Sequence, residues 1–126
     1  MKLSFSLLKN TFAICKFKND MEIPSSIKTS SFYSITRTVD ELSLVCEQSL
    51  VPEQLSEINK DWRVLKIIGP LDFSLVGIIA DISAILKSER ISIFTISTYE
   101  TDYILVKSAD LDRAIKGLKV YGHTLV

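Results

Sequence analysis

Residues of special chemistry are scarce in this sequence. Among 126 residues there are two cysteines, one histidine and one tryptophan. Cys15 and Cys46 lie far apart, each inside an apolar run. That excludes a disulfide framework and a spaced metal cluster, and both read as buried, reduced thiols. No glycine-rich loop ends in Lys-Ser or Lys-Thr, so there is no phosphate cradle. Basic runs are absent too: 15 Lys and Arg balance 15 Asp and Glu. The footprint of a nucleic-acid binder and the polybasic patch of a membrane-surface protein are therefore both missing. No apolar run approaches the ~18 residues that a membrane-spanning helix needs. The opening segment, Met1 to Leu8, is interrupted by Ser4 and Ser6 and runs into Lys9-Asn10 without a small-residue cleavage site. It reads as a strand rather than a signal peptide, and a cytoplasmic location follows as the expectation.

What is present is an ordinary globular composition, 47% hydrophobic and 24% charged. A chain of this length buries about 68% of its unfolded surface, enough for a hydrophobic core. The second half is the easier to read. Asp61 to Ile68 alternates as a strand, and Gly69-Pro70 ends it. Leu75, Ile78, Ile79, Ile82, Ile85 and Leu86 then recur at steps of three and four, the stripe of an amphipathic helix. Asp72 or Ser74 would cap its start, and Lys87 and Arg90 suit its negative end. The β-branched run Ile91–Ser97 and the segment Tyr103–Lys107 read as a hairpin joined through Thr98–Asp102. Ser108 would cap a second helix with its buried stripe at Leu111, Ala114, Ile115 and Leu118. Gly122 ends it before a short last strand. The order is β-α-β-β-α-β, the ferredoxin-like arrangement, with two helices on one face of an antiparallel sheet.

The first half reads as a degraded copy. Strands are expected at Leu3–Leu8, Thr11–Phe17, Phe32–Thr36 and Leu42–Cys46. A short helix is expected at Pro24–Lys28 and a weak second one at Pro52–Ile58. The fold class is thus α+β, two ferredoxin-like units in tandem, divided as residues 1–60 and 61–126. The first half is short, so the copies are expected to be intertwined, and the sequence leaves open which strand completes which sheet.

Several stretches resemble a known family. Trp62-Arg63-Val64-Leu65-Lys66, Gly69-Pro70-Leu71-Asp72-Phe73-Ser74, Gly77-Ile78-Ile79-Ala80 and above all Ser97-Thr98-Tyr99-Glu100-Thr101-Asp102-Tyr103 are similar to tandem ACT-domain proteins. Thr36-Arg37-Thr38, Glu41 to Cys46 and Val51-Pro52 match the first half of that family. The ACT unit in question is similar to those of arginine sensors and of aspartate kinase regulatory domains. The resemblance implies a non-catalytic regulatory module that binds a free amino acid where the first strand, first helix and second strand meet, in some members between two units.

The residues themselves allow that chemistry. A strand running into a helix start presents free N–H groups at the positive end of the dipole, a seat for a carboxylate. The ligand-binding residues expected are Gly69, Leu71, Asp72, Phe73, Ser74, Gly77, Ser97, Thr98, Thr101 and Asp102. Gly69 would let a ligand approach the backbone, and Asp72 would take an ammonium group; equally, Gly69 turns the chain and Asp72 caps the helix. Asp102 would pair with a cation, or Thr and Asp satisfy the hairpin's own N–H groups. Trp62 and Phe73 read as core anchors. His123 reads as a turn residue. No catalytic residue, metal ligand or cofactor is expected. The alternative function is a structural module with a vestigial pocket that forms a homodimer through its sheet or helix faces.

Overall fold

The computed structural model describes every residue except 19, 70 and 72–75. Along the chain run β1 (Ser4–Leu7), β2 (Phe12–Phe17), α1 (Ser25–Lys28), β3 (Ser34–Arg37), β4 (Leu42–Glu47), β5 (Ile58–Ile67), α2 (Ile78–Ser88), β6 (Ile93–Ser97), β7 (Asp102–Lys107), α3 (Leu111–Val120) and β8 (Thr124–Leu125). They form two compact units: Asn10–Trp62, and Met1–Lys9 together with Arg63–Val126. The N-terminal strand β1 thus belongs with the C-terminal half, and β5 contributes its first part to one unit and its second part to the other.

In the first unit β4 pairs antiparallel with β2 from Phe12↔Glu47 to Phe17↔Leu42 and with β3 from Ser34↔Val45 to Arg37↔Leu42. The period-2 alternation sends Ala13, Cys15 and Phe17 to the same buried cluster as Leu42, Leu44 and Cys46, completed by Ile27 of α1 and by Leu55. Both cysteines are free and buried. Their thiols share a hydrogen bond that lowers the Cys15 pKa and, with burial, raises that of Cys46. The expected helix at Pro52–Ile58 is not there. A single 3-10 turn forms earlier, at Gln48–Leu50. Val51, ahead of Pro52, is held extended (φ −67°, ψ 129°), as a pre-proline residue prefers. The carbonyl of Glu57 already accepts the Lys16 N–H at 3.0 Å, so the segment is entering the sheet. Asp61 then adopts φ 68°, held by the Gln48 side chain, which accepts the Asp61 N–H at 2.6 Å and donates to its carboxylate at 3.1 Å. Asp tolerates this left-handed conformation better than most residues.

In the second unit the strand order is β6-β7-β5-β1-β8. The β-α-β-β-α-β order read from the sequence is present, but β1 is inserted between the first and last strands of that pattern. It pairs antiparallel with β5 (Phe5↔Ile67, Leu7↔Leu65) and parallel with β8 (Phe5↔Leu125). The sheet is therefore mixed, not wholly antiparallel as expected. The alternation of β1 explains the insertion: Phe5 is 2% exposed in the core, with Leu3 and Leu7 half-buried beside it. Burying a phenylalanine side chain contributes roughly 1.5–3 kcal/mol. The same core face carries Leu65, Ile67, Ile104 and Val106 of the sheet, and α2 and α3 lay Ile82, Ile85, Leu86, Ala114 and Leu118 on it.

The second long helix, α3, is not capped by the side chain that the sequence suggested. Ser108 falls in a 3-10 turn, and the N-cap of α3, Asp110, makes no side-chain cap bond. Its carboxylate instead pairs with Arg113 at 2.6 Å. The N-cap of α2 is Gly77 in the left-handed conformation, φ 83°. Asp72 and Ser74, the expected caps, lie outside the described residues.

His123 is a core residue, 5% exposed. Its Nδ1 accepts the Leu3 N–H at 3.0 Å, and its ring stands edge-on to Phe5 at 5.9 Å. It thereby fixes the start of β1 beside β8. The bond requires an unprotonated Nδ1. Burial is the main cause that lowers its pKa below 6.5, helped by the N-terminal ammonium and opposed by Asp81. The unfolded chain therefore takes up the proton first. The stabilisation is complete above about pH 6.5 and is lost as pH falls through the folded value. Urea denaturation at a series of pH values should show the wild type losing stability below pH 6.5 relative to His123→Gln. Parallel curves for the two proteins would refute the role.

Candidate ligand-binding site

The end of β5, the start of α2 and the β6–β7 turn meet in the second unit around a cavity of about 330 Å³. Four carbonyl-directed hydrogen bonds build its frame. The Leu71 N–H donates to the Glu100 carbonyl at 2.7 Å, and the Thr98 N–H to the Thr101 carbonyl at 2.9 Å. The Thr98 hydroxyl donates to that same carbonyl at 3.0 Å. The Thr101 hydroxyl, 5% exposed, donates to the carbonyl of Ile67 at 2.6 Å. Gly69 is what lets the two segments come so close. A Cβ there would lie 3.0 Å from the Leu71 nitrogen and 3.1 Å from the Glu100 oxygen, both backbone atoms with little room to give.

Of the ten residues read from the sequence as a binding site, Leu71, Gly77, Ser97, Thr98, Thr101 and Asp102 line this cavity. Gly69 does not line it but permits its frame. Asp72, Phe73 and Ser74 lie outside the described residues. Five lining residues were not in the expected set: Ile78, Ile79, Ala80, Tyr99 and Glu100. The first three read as core stripe or helix surface, because a side-chain pattern says nothing of the backbone N–H groups at a helix start. Glu100 sat inside the motif already singled out, and its charge was the available signal.

The chemistry of the lining is one-sided. Glu100 and Asp102 bring two carboxylates, and no Lys, Arg or His is among the described lining residues. The Ser97 hydroxyl donates to Asp102 Oδ1 at 2.5 Å, which fixes the carboxylate and leaves its second oxygen an available acceptor. Opposite, α2 begins at Gly77, whose carbonyl accepts the Asp81 N–H at 2.8 Å. Its N-cap is a glycine, which has no side chain to bond the first N–H groups. The earlier N–H groups, those of Ile78, Ile79 and Ala80, point out of the helix start with the positive end of its dipole. A negative end and a positive end thus face one space. Among the described residues no group of three His, Cys, Asp or Glu side chains could hold a metal ion, and no helix is long and apolar enough to cross a membrane.

Fold and site together define a class. The ACT-domain family model matches residues 57–119, half of the chain, and a model described as an N-terminal domain matches residues 10–54. The chain belongs to the ACT-domain family. It is 32% identical over 92 residues to the human protein CASTOR3P, and 28% identical over 97 residues to the bovine cytosolic arginine sensor for mTORC1 subunit 1. These matches cover 64% and 69% of this chain, but only 56% and 30% of those two proteins. A crystal structure of an Agobacterium tumefaciens protein is 32% identical and superposes with a TM-score of 0.91, covering 100% of this chain and 93% of that one. The aspartate kinase of Clostridium acetobutylicum shares the fold at 15% identity, with a TM-score of 0.69 over 94% of this chain and 34% of the kinase.

The frame makes two substitutions informative. Thr101→Val keeps the shape but strips a donor from a buried carbonyl, at a cost of about 1–3 kcal/mol. Gly69→Ala drives a methyl into the Leu71–Glu100 bond at a similar cost. Both should lower the urea midpoint without changing the denaturant slope. Wild-type midpoints in both variants would mean that the turn is not tied down as described.

Proposed function

We propose that this chain is a regulatory, ligand-sensing module that binds a free amino acid in the cavity between β5, α2 and the β6–β7 turn. The single observation that carries the reading is that two carboxylates and a helix start whose N-cap is a glycine line one open space. A zwitterion satisfies both. Its carboxylate would sit on the N–H groups of Ile78–Ala80, and its ammonium or cationic side chain would meet Asp102 and Glu100. The volume of about 330 Å³ lies at the lower end of the range of small-molecule pockets. With no cation in the lining, basic amino acids should bind best and acidic ones worst. The bovine arginine sensor supports a ligand of this kind without fixing it.

The first unit we read as a second, reduced ACT-type unit. Its ladders run in the order β3-β4-β2-β5, with α1 between β2 and β3, and the second helix of the pattern shrunk to the Gln48–Leu50 turn. Such a unit would serve as a partner for the second unit, as in a tandem sensor. A vestigial pocket in a purely structural module would be filled by the chain's own side chains; the open cavity supports the ligand reading instead.

Thermal-shift screening against the twenty amino acids provides the test. A ligand at a hundred times its dissociation constant adds about 2.7 kcal/mol of stability. Arginine or lysine should raise the melting temperature, and Asp102→Asn should weaken binding by about tenfold or more while leaving the unliganded protein's stability nearly unchanged, since Asn can keep the Ser97 bond. The absence of a shift with any amino acid at millimolar concentration would overturn the proposal.

A further inference from the structure

A second pocket, of about 460 Å³, lies wholly within the first unit and has the opposite electrostatic character. Met21 and Ile23, on the segment between β2 and α1, form its apolar wall with Ile35 of β3 and Leu42 of β4. Lys28, the last residue of α1, and Arg37, the last of β3, bring two positive charges to the same lining, and Glu22 brings one negative charge. Ile35 and Arg37 are two apart on one strand, so the alternation sends them to the same face. Ile35 is left 38% exposed there. Among the described residues the ion pair of the chain is Arg113 with Asp110; Lys28, Arg37 and Glu22 form none.

Two unpaired cations at the mouth of an apolar hollow are matched by one chemistry. We infer that this pocket binds a small carboxylate carried on an apolar body, an aliphatic amino acid or a simple aliphatic carboxylic acid. The carboxylate lies between Lys28 and Arg37, where a guanidinium gives bidentate recognition. The apolar body covers Met21, Ile23, Ile35 and Leu42. Glu22 decides between the two sources, because only an amino acid brings an ammonium group for it. The site shares no residue with the cavity of the second unit and favours ligands that the acidic cavity does not. The chain would then hold two sites of unlike preference, one for basic and one for apolar carboxylates.

The test is methyl NMR of the whole chain, titrated separately with leucine, with 4-methylpentanoate, which lacks the amino group, and with leucinamide, which lacks the carboxylate. At least one of the two carboxylates should move the Ile23 and Ile35 methyl resonances saturably, and leucinamide should not. Lys28→Gln and Arg37→Gln, both at exposed positions, should each raise the dissociation constant about tenfold. If Glu22→Gln weakens leucine but not 4-methylpentanoate, the ligand is an amino acid; if 4-methylpentanoate binds as well as leucine and Glu22→Gln changes neither, it is a simple carboxylic acid. No saturable shift of those methyls with either carboxylate, an equal shift with leucinamide, or binding indifferent to Arg37→Gln overturns the site. The methyls of Ile78 and Ile79 report the other cavity in the same spectra, so failure at one site is read separately from failure at the other.

Discussion

The tie between the end of β5 and the β6–β7 turn is the contact on which the cavity of the second unit depends. Thr101 spends its hydroxyl on the Ile67 carbonyl, and Leu71 spends its N–H on the Glu100 carbonyl. Both bonds lie beside Gly69, the position at which a side chain would separate the segments. Net hydrogen-bond contributions are only about 1 kcal/mol each, but a buried carbonyl left unpaired costs more. The turn is thus fixed less by attraction than by the penalty of moving it. With the turn fixed, Asp102 and Glu100 are held opposite the start of α2, and the charge separation of the cavity follows from backbone geometry.

The rest of the second unit is arranged to keep that geometry stiff. β1 adds a fifth strand beside β5 and buries Phe5 under α2 and α3. His123 secures the first residues of that strand through an unprotonated Nδ1. The lone histidine, unpromising as a catalyst in the sequence, is therefore structural. The two thiols are structural as well: Cys15 and Cys46 lie in the buried cluster of the first unit, on β2 and β4.

Much of this was legible before the structure. Alternation placed β2, β4 and β7, and the three- and four-residue steps placed α2 and α3, because those patterns are set by burial of a face. The Ser97–Asp102 motif marked the cavity because hydroxyls and carboxylates clustered at a turn are visible as letters. What stayed hidden was non-local or carried by the backbone. Nothing in Ser4–Leu7 announces a parallel partner 120 residues away in β8. The left-handed Gly77 that starts α2 looks like any helix-proximal glycine. The weak helix expected at Pro52–Ile58 gives way to the demand of β2 for a partner at Glu57. Local propensity gave way to sheet pairing, as it commonly does in short segments.

Both pockets sit where a strand gives way to a short connection and a helix, but their charges differ in sign: Glu100 and Asp102 in one, Lys28 and Arg37 against Glu22 in the other. In the proposed site the start of α2 seats a carboxylate while Asp102 holds a cation. Backbone amide NMR during an arginine titration addresses this directly. The N–H resonances of Ile78, Ile79 and Ala80 should move together and saturate, with the response much weakened in Asp102→Asn. Amides at that helix start that stay in place while arginine saturates the protein elsewhere, or in its absence of binding altogether, would contradict it.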